Sequence, residues 1–223
     1  WKGKNEIELL DLRLQYAQML AEVGGISCSF NSTVYEDNLQ YVPEMINWAH
    51  KHIDIVHTMV FICFRHVIPN MPFDWYAGGT KVEWDKIMYH SDKKRDVEIL
   101  STDVLAKVRE RFPDFTPSAY LNGTVKADSF KWLITERVGT KDTIYGYLGP
   151  KFMELMMTVH HFFKGTYLSY ASPALTKKGR STLLLLWPFD KRLKKAMLNF
   201  VKNPLNIFKK THLQSILFIQ PVD

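Results

Sequence analysis

The chain has 223 residues, of which 46% are hydrophobic and 13% aromatic, and its formal net charge is +6 at pH 7. This composition is typical of a globular protein and excludes a disordered or low-complexity chain. Two cysteines exclude a disulfide-stapled scaffold, and no apolar run approaches the ~18 residues of a membrane-spanning helix. We expect buried free thiols at Cys28 and Cys63 and a cytoplasmic protein, with any membrane contact peripheral.

Two helices and two strands are predicted over the first 64 residues. Residues 5–22 carry apolar side chains at helical spacing and are followed by a pair of glycines, which favour a helix end. Residues 38–52 show the same spacing, with Pro43 favouring an irregular first turn. Residues 55–64 form a nearly continuous apolar run, as in a parallel strand that is covered on both faces.

The segment 26–34 alternates between polar and apolar side chains, which is typical of a strand. Its polar face consists of Ser27, Ser29, Asn31 and Thr33. With the following helix and apolar strand, this segment predicts a right-handed parallel crossover unit of an α/β barrel. Inward side chains near the carboxyl ends of barrel strands form active sites, so Ser29, Asn31 and Thr33 are candidates to line a ligand. A barrel core whose polar groups are satisfied by neighbours or water is the alternative interpretation.

Several segments of the chain also resemble those of a known enzyme family. FNSTVYEDNLQYVPEMINWA followed by HIDIVHTMVFI resembles the fifth strand, fifth helix and sixth strand of radical S-adenosylmethionine enzymes. The resemblance continues through FRHVIPNMPFDWYAGG, YLNGT, IYGYLGPKFMEL and HHFFKGTYLSYASP, which are most similar to archaeal tetraether-lipid synthases and their bacterial relatives. It implies a partial radical-SAM-type (β/α) barrel of parallel strands with a mainly helical, basic C-terminal extension.

The chain departs from this family at one point. The Cys-x3-Cys-x2-Cys loop that binds the catalytic 4Fe-4S cluster is absent, because Cys28 and Cys63 are the only cysteines. We therefore expect a fragment: residues 1–148 as the second half of a barrel, with an irregular excursion at 66–100, and residues 149–223 as the C-terminal extension. The cluster ligands would lie outside this chain, and the fragment alone is expected to be inactive.

The resemblance also implies site residues and partners. S-adenosylmethionine would contact Ser29, Asn31, Thr33, Phe61 and Arg65. The substrate would contact Trp75, Tyr120 and Asn122. The implied reaction is hydrogen abstraction from an unactivated carbon of an apolar or lipid-like substrate, with a reductant protein as partner. No catalytic residue is assigned.

The segment from residue 66 to residue 148 is less regular. The aromatic-rich excursion is interpreted as a lid or substrate wall, with an irregular packing segment as the alternative. A helix is predicted over 101–112, a strand over 118–121 and a second helix over 128–138, with Asp128 as its N-cap. These elements either continue the barrel or form a small appended unit.

Residues 150–164 predict a helix that is apolar on nearly all sides, with Pro150 at its start and Gly165 after its end. A core position is favoured over contact with lipid or with an apolar substrate. The histidines of the chain show no ligand spacing, so no mononuclear zinc site is expected.

The segment 177–210 holds ten Lys or Arg residues and a single acid, Asp190. Within it, residues 190–202 predict a basic amphipathic helix whose apolar side is formed by Phe189, Leu193, Ala196, Met197 and Phe200. Two interpretations are open: a membrane-surface element, or an ordinary surface helix with solvated charges. A non-catalytic binding module for an anionic membrane surface or another anionic partner is the alternative function, and nucleic acid is a weaker variant. Residues 212–219 predict a final strand.

Overall fold

In the computed structural model, the described residues are 3–64, 74–83, 99–122, 130–165 and 187–220. They form a mixed α/β structure around one central sheet. The α-helices are α1 (Leu10–Val23), α2 (Val42–Lys51), α3 (Ser101–Arg111), α4 (Pro150–Lys164) and α5 (Lys191–Val201). Within the described ranges, 3-10 helices cover Leu39–Tyr41 and Pro204–Phe208. The strands are β1 (Ser29–Val34), β2 (Thr58–Cys63), β3 (Tyr76–Ala77), β4 (Thr80–Lys81), β5 (Ala119–Asn122), β6 (Phe130–Gly139), β7 (Ile144–Tyr147) and β8 (His212–Ile219).

The central sheet has the order β1-β2-β8-β6-β5, and β7 also pairs with β6. Strands β1, β2 and β8 are parallel to one another, whereas the β8–β6, β6–β5 and β6–β7 pairs are antiparallel. No closed barrel forms among the strands that the structure describes. The strand predicted at the end of the C-terminal extension lies in the middle of this sheet.

The parallel crossover unit predicted for the first 64 residues is confirmed. Strand β1 pairs with β2 in parallel, from Ser29 opposite Thr58 to Val34 opposite Cys63. Helix α2 connects the two strands, and a 3-10 turn precedes it, in agreement with the irregular start expected from Pro43. Helix α1 ends at Val23 and is followed by Gly24 and Gly25, which both have positive φ angles.

The prediction of parallel strands is wrong for the middle of the chain. Residues 130–139 form strand β6 rather than a helix, and β6 pairs with neighbours on both sides. Aromatic and β-branched side chains at Trp132, Ile134 and Val138 favour a strand. The pairing partners β5 and β8 satisfy the β6 backbone, and tertiary pairing therefore overrides the helical pattern inferred for this segment.

Two faces of the sheet can be distinguished by their side chains. The first face carries Phe30, Met59, Phe61, Ile216, Phe218 and Leu133, and helices α1, α2 and α3 cover it. Phe218 lies 5.9 Å from the ring centroids of both Phe61 and Phe115. This cluster is the main core of the protein.

A buried polar network joins the first face to α2. The Arg137 guanidinium donates to Gln214 Oε1 and to the carbonyl oxygen of Ile46. Gln214 Nε2 in turn donates to the carbonyl oxygens of Ala49 and Val56, at 2.8 and 2.6 Å. Burial lowers the pKa of Arg137 to about 10. The network satisfies polar groups that would otherwise be desolvated without partners.

A smaller core lies on the second face and centres on Asp190. The Asp190 carboxylate accepts hydrogen bonds from the backbone N–H groups of Arg192 and Leu193 at the start of α5, and of Phe152 in the first turn of α4. One buried side chain therefore caps two helices. A Cβ atom at Gly149 would collide with this carboxylate, so glycine is required there.

The bounds predicted for α4 are confirmed, but the preferred core position of this helix is wrong. Phe152 is its single buried residue. The smaller core reaches its first two turns through Met153 and Met156, whereas Phe162 and Phe163 near its end are 81% and 73% exposed.

Within the excursion predicted at 66–100, the structure describes residues 74–83 and 99–100. Residues 76–81 form a tight hairpin of β3 and β4. Gly78 and Gly79 occupy its turn with φ angles of 59° and 82°, a conformation that other residues rarely adopt. The lid interpretation of the excursion stays a prediction.

Candidate functional site

The candidate site lies on the second face of the sheet, opposite helices α1 to α3. Ser29, Asn31 and Thr33 are exposed on this face, while the alternate residue Phe30 packs against Trp48 of α2 on the first face. The alternation of β1 therefore places the three predicted ligand-binding side chains together, in a line along the edge strand. We call these three residues the polar column.

The strand register extends the polar column into three rows across the second face. The first row contains Ser29, Thr58, Ser215 and Glu136. The second row contains Asn31, Val60, Leu217 and Ile134. The third row contains Thr33, Ile62, Ile219 and Trp132. Polar groups thus border an apolar patch on two sides, along β1 and along the first row.

Glu136 is the ionisable residue of the first row. Its side-chain Oε1 accepts a hydrogen bond from Ser215 Oγ at 2.6 Å. Burial of the carboxyl group raises the pKa of Glu136 to about 7, and the Ser215 hydrogen bond opposes this shift. The carboxyl group can therefore both take up and release a proton near neutral pH, as a general acid or base must.

The start of the polar column is fixed by His57. The backbone N–H of Cys28 donates to His57 Nδ1 at 3.1 Å, and the backbone N–H of Ser215 donates to the His57 carbonyl oxygen. Burial lowers the pKa of His57, and the neighbouring Asp54 opposes this shift. The ring, which accepts at Nδ1, ties the residue before β1 to the residue before β2, and the His57 backbone carbonyl ties this point to Ser215 of β8.

Two predicted site residues lie away from the polar column. Phe61 points to the first face, where it is fully buried, because it occupies the strand position opposite Ser32 rather than Asn31. Tyr120 lies on β5, four strand spacings or about 19 Å from β1. It pairs with Leu133 of β6 and points toward the first face. The structure does not bring either residue to the polar column.

The other predicted site residues are Trp75, Arg65 and Asn122. Trp75 is 46% exposed, next to the β3–β4 hairpin. Arg65 and the side chain of Asn122 lie outside the described part of the chain.

Thr58, Ser215 and Glu136 were missed by sequence reasoning. Glu136 lies in a segment predicted to be helical, so its side chain could not be assigned to a sheet face. The aromatic and β-branched residues Trp132, Ile134, Thr135 and Val138 were the signal that could have indicated a strand there.

The two cysteines do not lie on the face that carries the polar column. Cys28 and Cys63 are buried free thiols, as predicted, and they lie at opposite ends of the β1–β2 pair. Burial raises the pKa of Cys28 to about 11, which disfavours the thiolate. Among the described residues, no group of three or more His, Cys, Asp or Glu side chains is placed to hold a metal ion.

The helices in the described ranges are all too short or too polar to cross a membrane. Comparison with known proteins gives no further assignment: no family model, no curated protein and no solved structure matches the chain.

Proposed function

We propose that this chain is the part of a radical S-adenosylmethionine enzyme that holds the cofactor and an apolar substrate against the second face of the sheet. The observation that carries the proposal is the polar column on a parallel β-α-β unit, next to an apolar patch. The sequence resemblance to the fifth and sixth strands of that family supports the same assignment.

The residues of the second face fit S-adenosylmethionine. The Asn31 amide and the hydroxyls of Ser29 and Thr33 offer donors and acceptors for the polar groups of the cofactor. Ile62, one strand away, is half-buried and offers an apolar surface for its adenine ring, whereas Val60 is buried. The bound cofactor supplies the one-electron chemistry that removes hydrogen from an unactivated carbon, while the protein positions the reactants and excludes water.

The residues present do not fit the 4Fe-4S cluster. Cluster ligands are thiolates, whereas Cys28 and Cys63 are buried on the first face, apart from each other and away from the polar column. Cysteines from outside this chain would have to bind the cluster. Residues of this chain are therefore assigned to cofactor and substrate contact alone.

The apolar patch favours a substrate that is itself apolar. The half-buried side chains Ile219, Ile134 and Trp132 continue the patch away from the polar column, whereas Leu217 is buried. An alkyl chain lying across it would place one of its carbons near the cofactor. A lipid-like substrate is therefore the specific form of this proposal.

The proposal is tested on the complete gene product, reconstituted anaerobically with iron and sulfide. We expect about four iron atoms per cluster-binding motif and formation of 5′-deoxyadenosine after reduction. Asn31→Leu should raise the KM for S-adenosylmethionine about tenfold, equivalent to the loss of one good hydrogen bond. The matched control Gln18→Leu, at an exposed position of α1, should leave this KM unchanged. Absence of 5′-deoxyadenosine, or equal KM values for both variants, would contradict the proposal.

A binding module for an anionic surface is the second candidate function. The specific observation in its favour is the charge of α5 and its surroundings, where Lys191, Lys194 and Lys195 are all exposed. This function needs no cofactor. In the gene, a Cys-x3-Cys-x2-Cys motif upstream of this chain would favour the enzyme over a module without catalytic activity.

A further inference from the structure

We propose that an exposed ridge at the end of α5 docks this protein onto the surface of an anionic lipid bilayer. The ridge consists of Leu198, Val201, Leu205, Ile207 and Phe208, and we call it the α5 ridge. This proposal is independent of the radical chemistry proposed for the second face, because it involves neither the polar column nor a cofactor.

The α5 ridge is not the apolar stripe that the sequence pattern identifies. Of that stripe, Leu193 and Ala196 are buried, and Met197 packs against the smaller core. Phe200 makes an edge-to-face contact with Tyr145, with 5.2 Å between the ring centroids. The protein core therefore uses most of the expected stripe, while Phe189 is exposed.

The ridge lies on the outer side of α5 and on the 3-10 helix that follows. Leu198 and Val201 are one turn apart on the exposed side of α5, with exposed fractions of 49% and 58%. Ile207 and Phe208 are exposed by 75% and 85%. Five exposed large apolar side chains between residues 198 and 208 are typical of a surface that is covered in the functional state.

Hydrogen bonds from three asparagines anchor the ridge to the rest of the fold. Asn203 Oδ1 accepts from the backbone N–H of Leu205 at the start of the 3-10 helix. Asn206 is buried and its Nδ2 donates to the carbonyl oxygen of Phe200, which fixes the 3-10 helix to the end of α5. Asn199 Nδ2 donates to the carbonyl oxygen of Tyr145 and ties α5 to the sheet. The apolar side chains are therefore presented outward by a folded scaffold.

Lysines surround the ridge on the same exposed side. Lys194 and Lys195 precede Leu198 by one turn, and Lys202 follows Val201 directly. The chain has no Asp or Glu between residues 191 and 210. Lys209 is engaged by Asp142 at 3.4 Å. The ridge thus combines apolar side chains for the acyl boundary with positive charge for acidic headgroups.

Aliphatic side chains distinguish a bilayer from other anionic partners. Four of the five ridge residues are aliphatic, and aliphatic side chains give nucleic acid neither base stacking nor hydrogen bonds. In a bilayer, each of these side chains leaves water when it enters the headgroup boundary. The anionic membrane is therefore the occupant that satisfies both the charge and the apolar surface.

The test is flotation of the chain with vesicles of phosphatidylcholine, alone or with 30% phosphatidylglycerol. The wild-type chain should float with the anionic vesicles and remain unbound with the neutral ones. Leu205→Ser/Ile207→Ser/Phe208→Ser should reduce the bound fraction at least fivefold, and Lys194→Glu/Lys195→Glu should do the same. The control Met19→Ser/Val23→Ser, at two exposed apolar positions of α1, should bind like the wild type.

A second measurement guards against misfolded variants. An environment-sensitive dye attached at Ile207→Cys should shift to the blue when anionic vesicles are added, whereas the same dye at Val23→Cys should not, and the buried native thiols should stay unlabelled. The proposal would be overturned if the dye responded equally at both positions, or if the chain bound neutral and anionic vesicles equally. It would also be overturned if the chain bound duplex DNA but no vesicles, and the ridge variant lost this DNA binding.

Discussion

The two faces of the central sheet carry different kinds of side chains. The first face buries an aromatic and aliphatic cluster beneath α1, α2 and α3, and Arg137 and Gln214 form a buried hydrogen-bond network with the backbone on this face. The second face carries the exposed polar column on β1 and a desolvated carboxyl group at Glu136. The difference shows that the first face serves stability, while the second face leaves polar side chains accessible to a ligand.

The largest expected effect comes from removing an aromatic ring on the first face. Phe218→Ala should destabilise the fold by about 3–5 kcal/mol, because its buried ring packs against both Phe61 and Phe115. Ile219→Ala, the adjacent residue on the second face, should cost about 1 kcal/mol because this side chain is only partly buried. Urea unfolding followed by circular dichroism measures both values, and similar costs would remove the distinction between the faces.

Asp190 tests the smaller core. Asp190→Ala removes one carboxylate that caps both α4 and α5, so we expect a loss of about 2–4 kcal/mol. Asp190→Asn keeps an acceptor oxygen and should recover part of this loss. Thermal unfolding of the two variants provides the measurement. If both variants unfolded at the wild-type temperature, Asp190 would not be the joint cap of these helices.

The pH dependence of stability sharpens the comparison at Glu136. A folded-state pKa of about 7 lies above the ordinary value of the carboxyl group. The contribution of the Glu136 carboxyl group to stability is therefore fully present below its unfolded-state pKa, and it is lost as the pH rises through about 7. Glu136→Gln should make the protein more stable than wild type at pH 8, by on the order of 1–3 kcal/mol, and the gain should shrink toward pH 5. Denaturant titrations at both pH values test this, and a gain that does not depend on pH would contradict the assignment.

The smallest effect is expected in the polar column. Asn31 is exposed and belongs to neither hydrophobic cluster, so Asn31→Ala should change the free energy of unfolding by less than about 0.5 kcal/mol. Its effect should appear in ligand binding instead. A large loss of stability in this variant would show that the polar column is structural.

The local sequence pattern predicted the structure correctly where that structure depends on residues within a single element. The period-two alternation of β1 placed Ser29, Asn31 and Thr33 on one face, and the apolar run 55–64 correctly indicated a parallel neighbour. The local pattern gave a wrong prediction where the structure of a segment depends on the strands that pair with it. The segment 130–139 has side chains compatible with either structure, and pairing with β5 and β8 makes it a strand. Phe61 was placed near the cofactor from its position along β2, but the register turns it into the main core.

The sequence by itself determined the crossover unit, the amphipathic helices and their capping glycines, because these depend on the spacing of residues that are close in the chain. Only the tertiary structure decided which strands pair, how Ser215 meets Glu136 across β8 and β6, and which apolar residues of α5 stay exposed. These outcomes depend on contacts between residues far apart in the chain, and the hydrophobic pattern of a single segment does not encode which distant segment will cover it.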